Sequence, residues 1–150
     1  MIRVQQHPFD LDDELKALRA SAPGAGATSV FIGTVRGTGE HSGIDAMTLE
    51  HYPGMTETAL SDIEAEARSR WPLLGSLIIH RHGRLQPGED IVLVITLAEH
   101  RQAAIEASTF LIDWLKTKAP FWKLEESGGG GQWVEAKNSD EDAAQRWKRR

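Results

Sequence analysis

Residues 91–96, with the sequence IVLVIT, constrain the fold more than any other part of this chain. Every residue of this stretch except the final threonine is apolar, so the strand it predicts carries apolar side chains on both faces. Such a strand is stable inside a sheet that has other layers covering both of its faces. The sequence therefore predicts a covered sheet with this strand at its centre.

Periodicity and turn signals divide the remaining chain into short strands and amphipathic helices. We expect helices at residues 11–19, 56–70, 100–118 and near the C-terminal end, and strands at residues 2–5, 27–36, 44–51, 77–82, 91–96, 121–125 and 132–136. In the helix at 100–118, apolar spacing of three or four residues predicts a core face of Ala104, Ile105, Ser108, Leu111, Ile112 and Leu115. Strands 27–36 and 44–51 are expected to pair as a hairpin across a Gly-rich loop. The order favours an α+β fold in one domain, residues 1–150, with helices packed on a mostly antiparallel sheet. The hairpin of strands 121–125 and 132–136 is expected to form a small accessory β subdomain.

The composition excludes several classes of protein. The chain has no cysteine, which rules out disulfides, a thiolate nucleophile, a persulfide and Cys-ligated metals. Its net charge of −5 argues against a general nucleic-acid-binding protein, and His51, His80 and His82 lack the spacing of a zinc site. No apolar run approaches the roughly 20 residues of a membrane helix. The amino-terminal sequence lacks an apolar signal core, so we expect a cytoplasmic protein. We expect no metal and no other cofactor.

Lysines near the end of the predicted helix 100–118 are the leading candidates for a functional site. Lys116 and Lys118 lie in its last turn, and Lys123 follows on a short predicted strand. Stabilisation of the helix dipole is the alternative explanation for last-turn lysines. Lys123 lies between Trp122 and Leu124, where aromatic surroundings would favour a reactive amine. We expect Lys116 and Lys123 to face one anion-binding pocket.

Further basic residues lie at the start of the same helix and at the end of strand 27–36. His100 and Arg101 stand where free backbone N–H groups favour an anion, with a solvated first turn as the alternative. Arg101 and Lys116 are about 22 Å apart along one helix, so a small substrate cannot contact both ends of one copy. If both ends serve catalysis, the pocket is therefore either long or completed by a second subunit. Arg36 stands beside the Gly-rich loop, as a ligand-binding or a structural residue.

Several ordered phrases resemble one protein family over nearly the whole chain. They are FIGTVRG, LEHYPGMTETAL, ARSRWPL, IIHRHGRLQPGE, EHR, LKTKAPFWKLE and WVEAK. Together they resemble the large, catalytic subunit of molybdopterin synthase, which implies an α/β-hammerhead-like sandwich. The implied enzyme is a sulfurtransferase that forms the dithiolene of molybdopterin from cyclic pyranopterin monophosphate. The implied sulfur donor is a thiocarboxylate at the C-terminal Gly-Gly of a small ubiquitin-like subunit, bound at each end of a homodimer of large subunits.

The resemblance also implies roles for individual residues. Lys116 and Lys123 match the two essential lysines of the family. The residues implied to bind substrate are Phe31, Thr34, Val35, Arg36, His100, Arg101 and Lys137, the last replacing a common arginine. A chain without cysteine needs an outside sulfur donor, in agreement with this function. The alternatives are a non-catalytic module that binds a ubiquitin-like tail, and an enzyme for a phosphorylated ligand with no protein partner.

Overall fold

The computed structural model describes residues 1–36, 46–127, 130–134 and 138–148, with side chains described for residues 1–36, 46–126 and 142–148. Its helices and strands are β1 Ile2–Gln5, α1 Leu11–Ala20, β2 Ala27–Thr34, β3 Ala46–His51, α2 Met55–Arg70, β4 Leu73–Arg81, β5 Gly83–Leu85, β6 Asp90–Ala98, α3 Arg101–Lys118, β7 Phe121–Ser127, β8 Gly130–Val134 and α4 Asn138–Gln145. The predicted α+β class and element order are confirmed. Only β5 was not predicted, because three residues are too few to show an alternating pattern.

Strand β6 lies inside the first sheet, whose strand order is β1-β4-β6-β2. It is antiparallel to both of its neighbours, and β1 joins the far edge parallel to β4. Both faces of β6 are buried. Val92 and Val94 pack beneath α2 and α3, whereas Leu93, Ile95 and Leu97 pack on the side of α1. The predicted central strand is confirmed, and its continuous apolar sequence follows from helical cover on both faces.

The second sheet has the order β5-β3-β7-β8, with antiparallel pairing throughout. The predicted hairpin between strands 27–36 and 44–51 is wrong, because β2 and β3 belong to different sheets. β2 pairs along its length with β6, from Ala27 opposite Ala98 to Thr34 opposite Asp90. β3 instead buries Met47 and Leu49 against Leu85 and Val35. The backbone partners of the two strands are therefore β6 for β2, and β5 and β7 for β3. The late hairpin is confirmed as β7 and β8, with its second strand described as far as Val134.

Helix α3 packs across the first sheet with a buried stripe that differs in part from the predicted one. The stripe consists of Ala104, Ala107, Ser108, Phe110, Leu111, Asp113 and Leu115. Ile105, predicted to face the core, is 55% exposed. The stripe is rotated toward Phe110, because this ring packs against Trp71 at 5.4 Å and lies 4.8 Å from the guanidinium of Arg70 at the end of α2. Among the described residues, no helix is long and apolar enough to cross a membrane.

Candidate active site

Lys116 lies in the last turn of α3, where its side chain is exposed next to the buried Leu115. The other lysine of this turn takes a different position. Nζ of Lys118 lies 5.3 Å from the ring centroid of Trp114, one turn earlier, in a cation–π contact that holds it against its own helix. Lys116 instead acts electrostatically on His80 of β4. The side chains of the two last-turn lysines therefore lie in different environments.

Lys123 lies on the covered face of the second sheet. It stands opposite Leu49 of β3, and Phe121 stands opposite His51 in the same register. Directly opposite residues of an antiparallel pair share one face, and Leu49 is only 1% exposed. Trp122 is on the other face and is 39% exposed. The aromatic side chain on the same face as Lys123 is therefore Phe121 rather than Trp122.

His80, near the end of β4, is the residue at which the electrostatic effects of the two lysines meet. Its imidazole is stacked on the Phe121 ring, with centroids 3.7 Å apart and planes inclined by 16°. The pKa of His80 is lowered to about 4, chiefly by burial and also by the positive charges of Lys116 and Lys123, while a 2.9 Å hydrogen bond from Nδ1 to the Arg81 carbonyl acts in the opposite direction. His80 is therefore neutral near pH 7. We refer to Lys116, Lys123, His80 and Phe121 as the lysine site.

His51, at the end of β3, borders the lysine site and has its tautomer set by Thr56. The Thr56 hydroxyl donates to the carbonyl oxygen of Tyr52 at 2.8 Å, so it accepts from Nδ1 of His51 at 3.2 Å. Nδ1 of His51 therefore carries a proton. The His51 ring lies 6.1 Å from that of Phe121 and 4.4 Å from that of His82.

Burial lowers the pKa of His82, and the neighbouring His51 lowers it further, against the opposing effect of Glu50 and Glu57. Among the described side chains, no group of three His, Cys, Asp or Glu residues could hold a metal ion. The spacing of these histidines in the sequence bears only on zinc binding and does not indicate that His80 lies beside Phe121. The signal that could have identified His80 is its position at the end of an apolar strand, where a polar residue on a buried face is uncommon.

The segment from Phe31 to Arg36 crosses from the core to the surface. Phe31 packs against the cluster beneath α3, and the Thr34 hydroxyl donates to Asp90 at 3.0 Å. Val35 is 3% exposed, and its backbone bonds Glu89 and Gly88. Arg36 follows with an exposed side chain. The burial of Val35 suits it to holding Arg36 in place rather than to touching a ligand.

His100 and Arg101 lie at the opposite end of α3 from Lys116, and the structure does not bring them to the lysine site. Both side chains are exposed, and Nε2 of His100 lies 3.8 Å from a carboxylate oxygen of Glu99. At 1.5 Å per residue the separation from Arg101 to Lys116 is about 22 Å. Lys137, the remaining predicted residue, lies outside the described residues.

Comparisons with known proteins agree on one family. The family model described as MoaE protein matches residues 4–118. The molybdopterin synthase catalytic subunit of Pseudomonas aeruginosa is 55% identical over 146 residues, covering 97% of each chain. The molybdopterin biosynthesis MoaE protein of Burkholderia ambifaria has a similar structure, with a TM-score of 0.84, 50% identity and coverage of 98% of this chain and 97% of that one.

A more distant structure shares the fold. It is the protein–protein complex of subunits 1 and 2 of molybdopterin-converting factor from Helicobacter pylori, whose matching chain is 23% identical with a TM-score of 0.73. The match covers 89% of this chain and 90% of that one. The family model and the 55% identical relative both span most of the sequence. This chain therefore belongs to the MoaE family.

Proposed function

We propose that this chain is the catalytic subunit of a molybdopterin synthase and transfers sulfur to cyclic pyranopterin monophosphate. The observation that carries the proposal is the stack of His80 on Phe121, which lies on the same face of β7 as Lys123, together with the charges of Lys116 and Lys123 that both act on His80. Two lysines whose charges act on one histidine form a local cationic site in a chain whose net charge is −5. Such a site suits a substrate that carries a phosphate. The name of the Pseudomonas aeruginosa relative supports the same activity.

The sulfur donor in this proposal is a thiocarboxylate at the C-terminus of a small ubiquitin-like subunit. The two-subunit composition of the Helicobacter pylori complex supports such a partner. The absence of cysteine from this chain requires that the sulfur come from outside it. The thiocarboxylate sulfur attacks a substrate carbon that bears oxygen, forming a carbon–sulfur bond as the carbon–oxygen bond at that carbon breaks and the oxygen leaves with a proton. Water then cleaves the acyl–sulfur bond, which returns the partner as a carboxylate, and a second partner molecule supplies the second sulfur.

The lysines take two kinds of role in this scheme. Lys116 assists the attack or the fate of the acyl group, and Lys123 stabilises developing negative charge or moves protons. Arg36 and Lys137 bind the phosphate and the pterin, and Phe31 supports the segment that carries Arg36 from the core. Val35 and Thr34 hold the segment from Phe31 to Arg36 in place.

We further propose that His100 and Arg101 act on the site of a second copy of this chain. Arg101 lies about 22 Å from Lys116 along α3, too far for one small substrate. Ile105 lies one turn after Arg101 on the same side of the helix and is 55% exposed. An exposed isoleucine next to an exposed guanidinium is suited to contact with another protein chain. A homodimer with one small subunit at each end accounts for both observations.

Reconstitution tests the proposed activity. The purified chain is mixed with the thiocarboxylated small subunit and cyclic pyranopterin monophosphate, and dithiolene formation is measured. Lys116→Ala and Lys123→Ala should each reduce the rate strongly, whereas Lys118→Ala, in the same turn as Lys116, should leave it nearly unchanged. Normal rates in both site variants would show that the chain binds the tail without catalysis. Full turnover with a partner lacking its last two glycines would exclude delivery of sulfur by the tail.

A further inference from the structure

Arg81 is the last residue of β4, and its charged side chain is only 6% exposed. It stands opposite Gln5 of the neighbouring strand β1. Its Nε and Nη2 donate to the carbonyl oxygen of Gln6 at 3.1 and 2.9 Å. A buried charge is stable only where its donors have fixed partners. The contacts of this guanidinium therefore show which parts of the chain it holds together.

The other side of the guanidinium holds the turn of residues 86–89, between β5 and β6. Nη1 donates to the carbonyl oxygen of Asp90 at 2.9 Å, and Nη1 and Nη2 lie 3.5 and 3.4 Å from Oε1 of Glu89. The second carboxylate oxygen of Glu89 accepts from the backbone N–H of Gln86 at 2.6 Å. Arg81 thus fixes both this turn and the start of β6.

The segment that leads to Arg36 is bonded to the same two residues. The Thr34 hydroxyl donates to the Asp90 carboxylate at 3.0 Å, and the backbone N–H of Val35 donates to the carbonyl oxygen of Glu89 at 2.9 Å. Arg36 follows directly, with an exposed side chain. A series of hydrogen bonds through the turn therefore joins the buried guanidinium to the residue before Arg36.

The pairing of β2 with β6 is irregular at this point. Gly33 stands opposite Val92, whereas Thr34 stands opposite Asp90, so Ile91 is an extra residue on β6. A bulge of this kind bends the sheet locally and redirects nearby side chains. The direction in which the chain leaves β2 therefore depends on the start of β6, which is the part that the guanidinium holds.

We propose that Arg81 is a positioning residue that directs the Arg36 side chain toward the phosphate of the substrate. The identity of the anion rests on the proposed function, whereas the contacts of Arg81 do not. The carbonyl oxygen of Arg81 also accepts a hydrogen bond from Nδ1 of His80, in the lysine site, at 2.9 Å. One residue therefore joins the turn that holds the Arg36 segment to the lysine site.

An arginine suits this position because its donors point in several directions. Its acceptors are the carbonyl oxygens of Gln6 and Asp90 and the carboxylate of Glu89, and they are bonded by three different nitrogens. A lysine keeps the charge but carries all its donors on one nitrogen. Arg81→Lys is therefore a mild variant that preserves the buried charge and loses part of the contacts.

Amide hydrogen exchange of the full-length chain, followed by NMR, tests the structural part of the proposal. In Arg81→Lys the exchange of the Val35 amide should become roughly tenfold faster, whereas that of Ile95, in the middle of β6, should not change. Arg84→Met is the matched control, because Arg84 is an exposed arginine of β5 that bonds Glu126 of the second sheet. The proposal is overturned if the Val35 amide exchanges equally in Arg81→Lys and in the wild type.

Steady-state dithiolene formation tests the positioning role. Arg81→Lys should raise the KM for cyclic pyranopterin monophosphate roughly tenfold at a nearly unchanged kcat, because grip on a phosphate is equal in the ground state and the transition state. In an Arg36→Ala background the same substitution should add little, since both residues act through one contact. A merely structural role would instead give the same fold-change in both backgrounds, and that result would overturn the proposal.

Thr34→Val tests the same series of contacts without a change in the core, since Thr34 is exposed. It removes the hydrogen bond to Asp90 and should raise the KM roughly threefold. An unchanged KM in this variant would overturn the proposal even if Arg81→Lys does not fold. A wild-type chain that forms no dithiolene would overturn the proposed function, whereas the exchange of the Val35 amide would still decide whether Arg81 holds the segment.

Discussion

Trp147 donates its indole N–H to Oδ2 of Asp113 at a distance of 2.6 Å. Asp113 lies three residues before Lys116 in α3. Arg146 donates to the same oxygen from Nε at 3.3 Å and from Nη2 at 2.9 Å. The Asp113 side chain is only 12% exposed. One carboxylate thus fastens the segment after α4 to the end of α3, and the position of Lys116 depends on residues more than 25 positions later in the chain.

Asp113→Ala should destabilise the protein by about 1–3 kcal/mol, because it leaves the Trp147 indole N–H without its acceptor in a largely buried place. The free energy of unfolding in urea measures this change. Asp142→Ala, an exposed carboxylate in α4, is the control and should cost less than about 0.5 kcal/mol. Equal stabilities of the two variants would show that the carboxylate does not fasten the two segments.

Gly33→Ala should destabilise the protein by about 1–3 kcal/mol through overpacking. A Cβ atom at this position would stand 2.6 Å from Cγ1 of Val92, a β-branched side chain that cannot easily turn away. Gly24→Ala is the control, because the nearest atom there is Leu74 Cδ1 at 3.9 Å. Thermal unfolding of both variants measures the difference. An unchanged melting temperature in Gly33→Ala would mean that β2 and β6 separate at little cost.

Stability should fall as the pH is lowered from about 6.5 to about 4. The pKa of His80 is about 4 in the folded protein and near 6.5 in the unfolded chain, so within this interval the unfolded state binds the additional proton. Neutral His80 therefore contributes stability above pH 6.5 that is lost progressively on acidification, of the order of 3 kcal/mol. The lowered pKa of His82 acts in the same direction.

Urea unfolding at a series of pH values measures this dependence. His80→Phe cannot be protonated at this position, so its stability should fall less steeply between pH 6.5 and 4 than that of the wild type. Parallel curves for the two proteins would contradict the assignment of this pH dependence to His80. His7→Phe replaces an exposed histidine and serves as the matched control.

Mixed dimers should recover activity if the site is shared between two copies. Arg101→Ala and Lys116→Ala homodimers each lack one component of every site, whereas a mixed dimer contains one site with both residues intact. We expect up to about half the wild-type activity per mixed dimer. Dithiolene formation after coexpression of differently tagged subunits measures it. No recovery, in mixed dimers shown to have formed, would place both residues in the site of a single copy.

The sequence predicts most of the fold because burial leaves a local pattern. The apolar run of β6 and the stripe of α3 identify a covered sheet and the helix that covers it. The pairing of strands is harder to predict from the sequence. The partner of β2 is β6, more than 50 residues away, and no local signal shows that β2 pairs with β6 rather than with β3. Spacing alone places Ile105 on the core face of α3 for a related reason, since the packing of Phe110 against Trp71 decides how the stripe is rotated.

The candidate site is predictable in its lysines but not in its surroundings. Lys116 and Lys123 stand near one another in sequence, and the resemblance to a known family indicates both. His80 lies 36 residues before Lys116, and its role depends on the stack with Phe121 and on a hydrogen bond to its own strand. The stack arises where β4 of the first sheet meets β7 of the second, which single-residue patterns do not show.

The alternation of β7 means that pairing register, as much as residue identity, decides which side chain enters the site. Lys123 faces the covered side because it stands opposite Leu49, and Trp122 faces outward beside Tyr52. A slip of one residue would exchange these two side chains without changing any amino acid. Deletion of one residue from the short link at Ala119 and Pro120 could thus abolish catalysis in a chain that retains every basic group. Inactive relatives of this kind would be invisible to any inspection of their lysines alone.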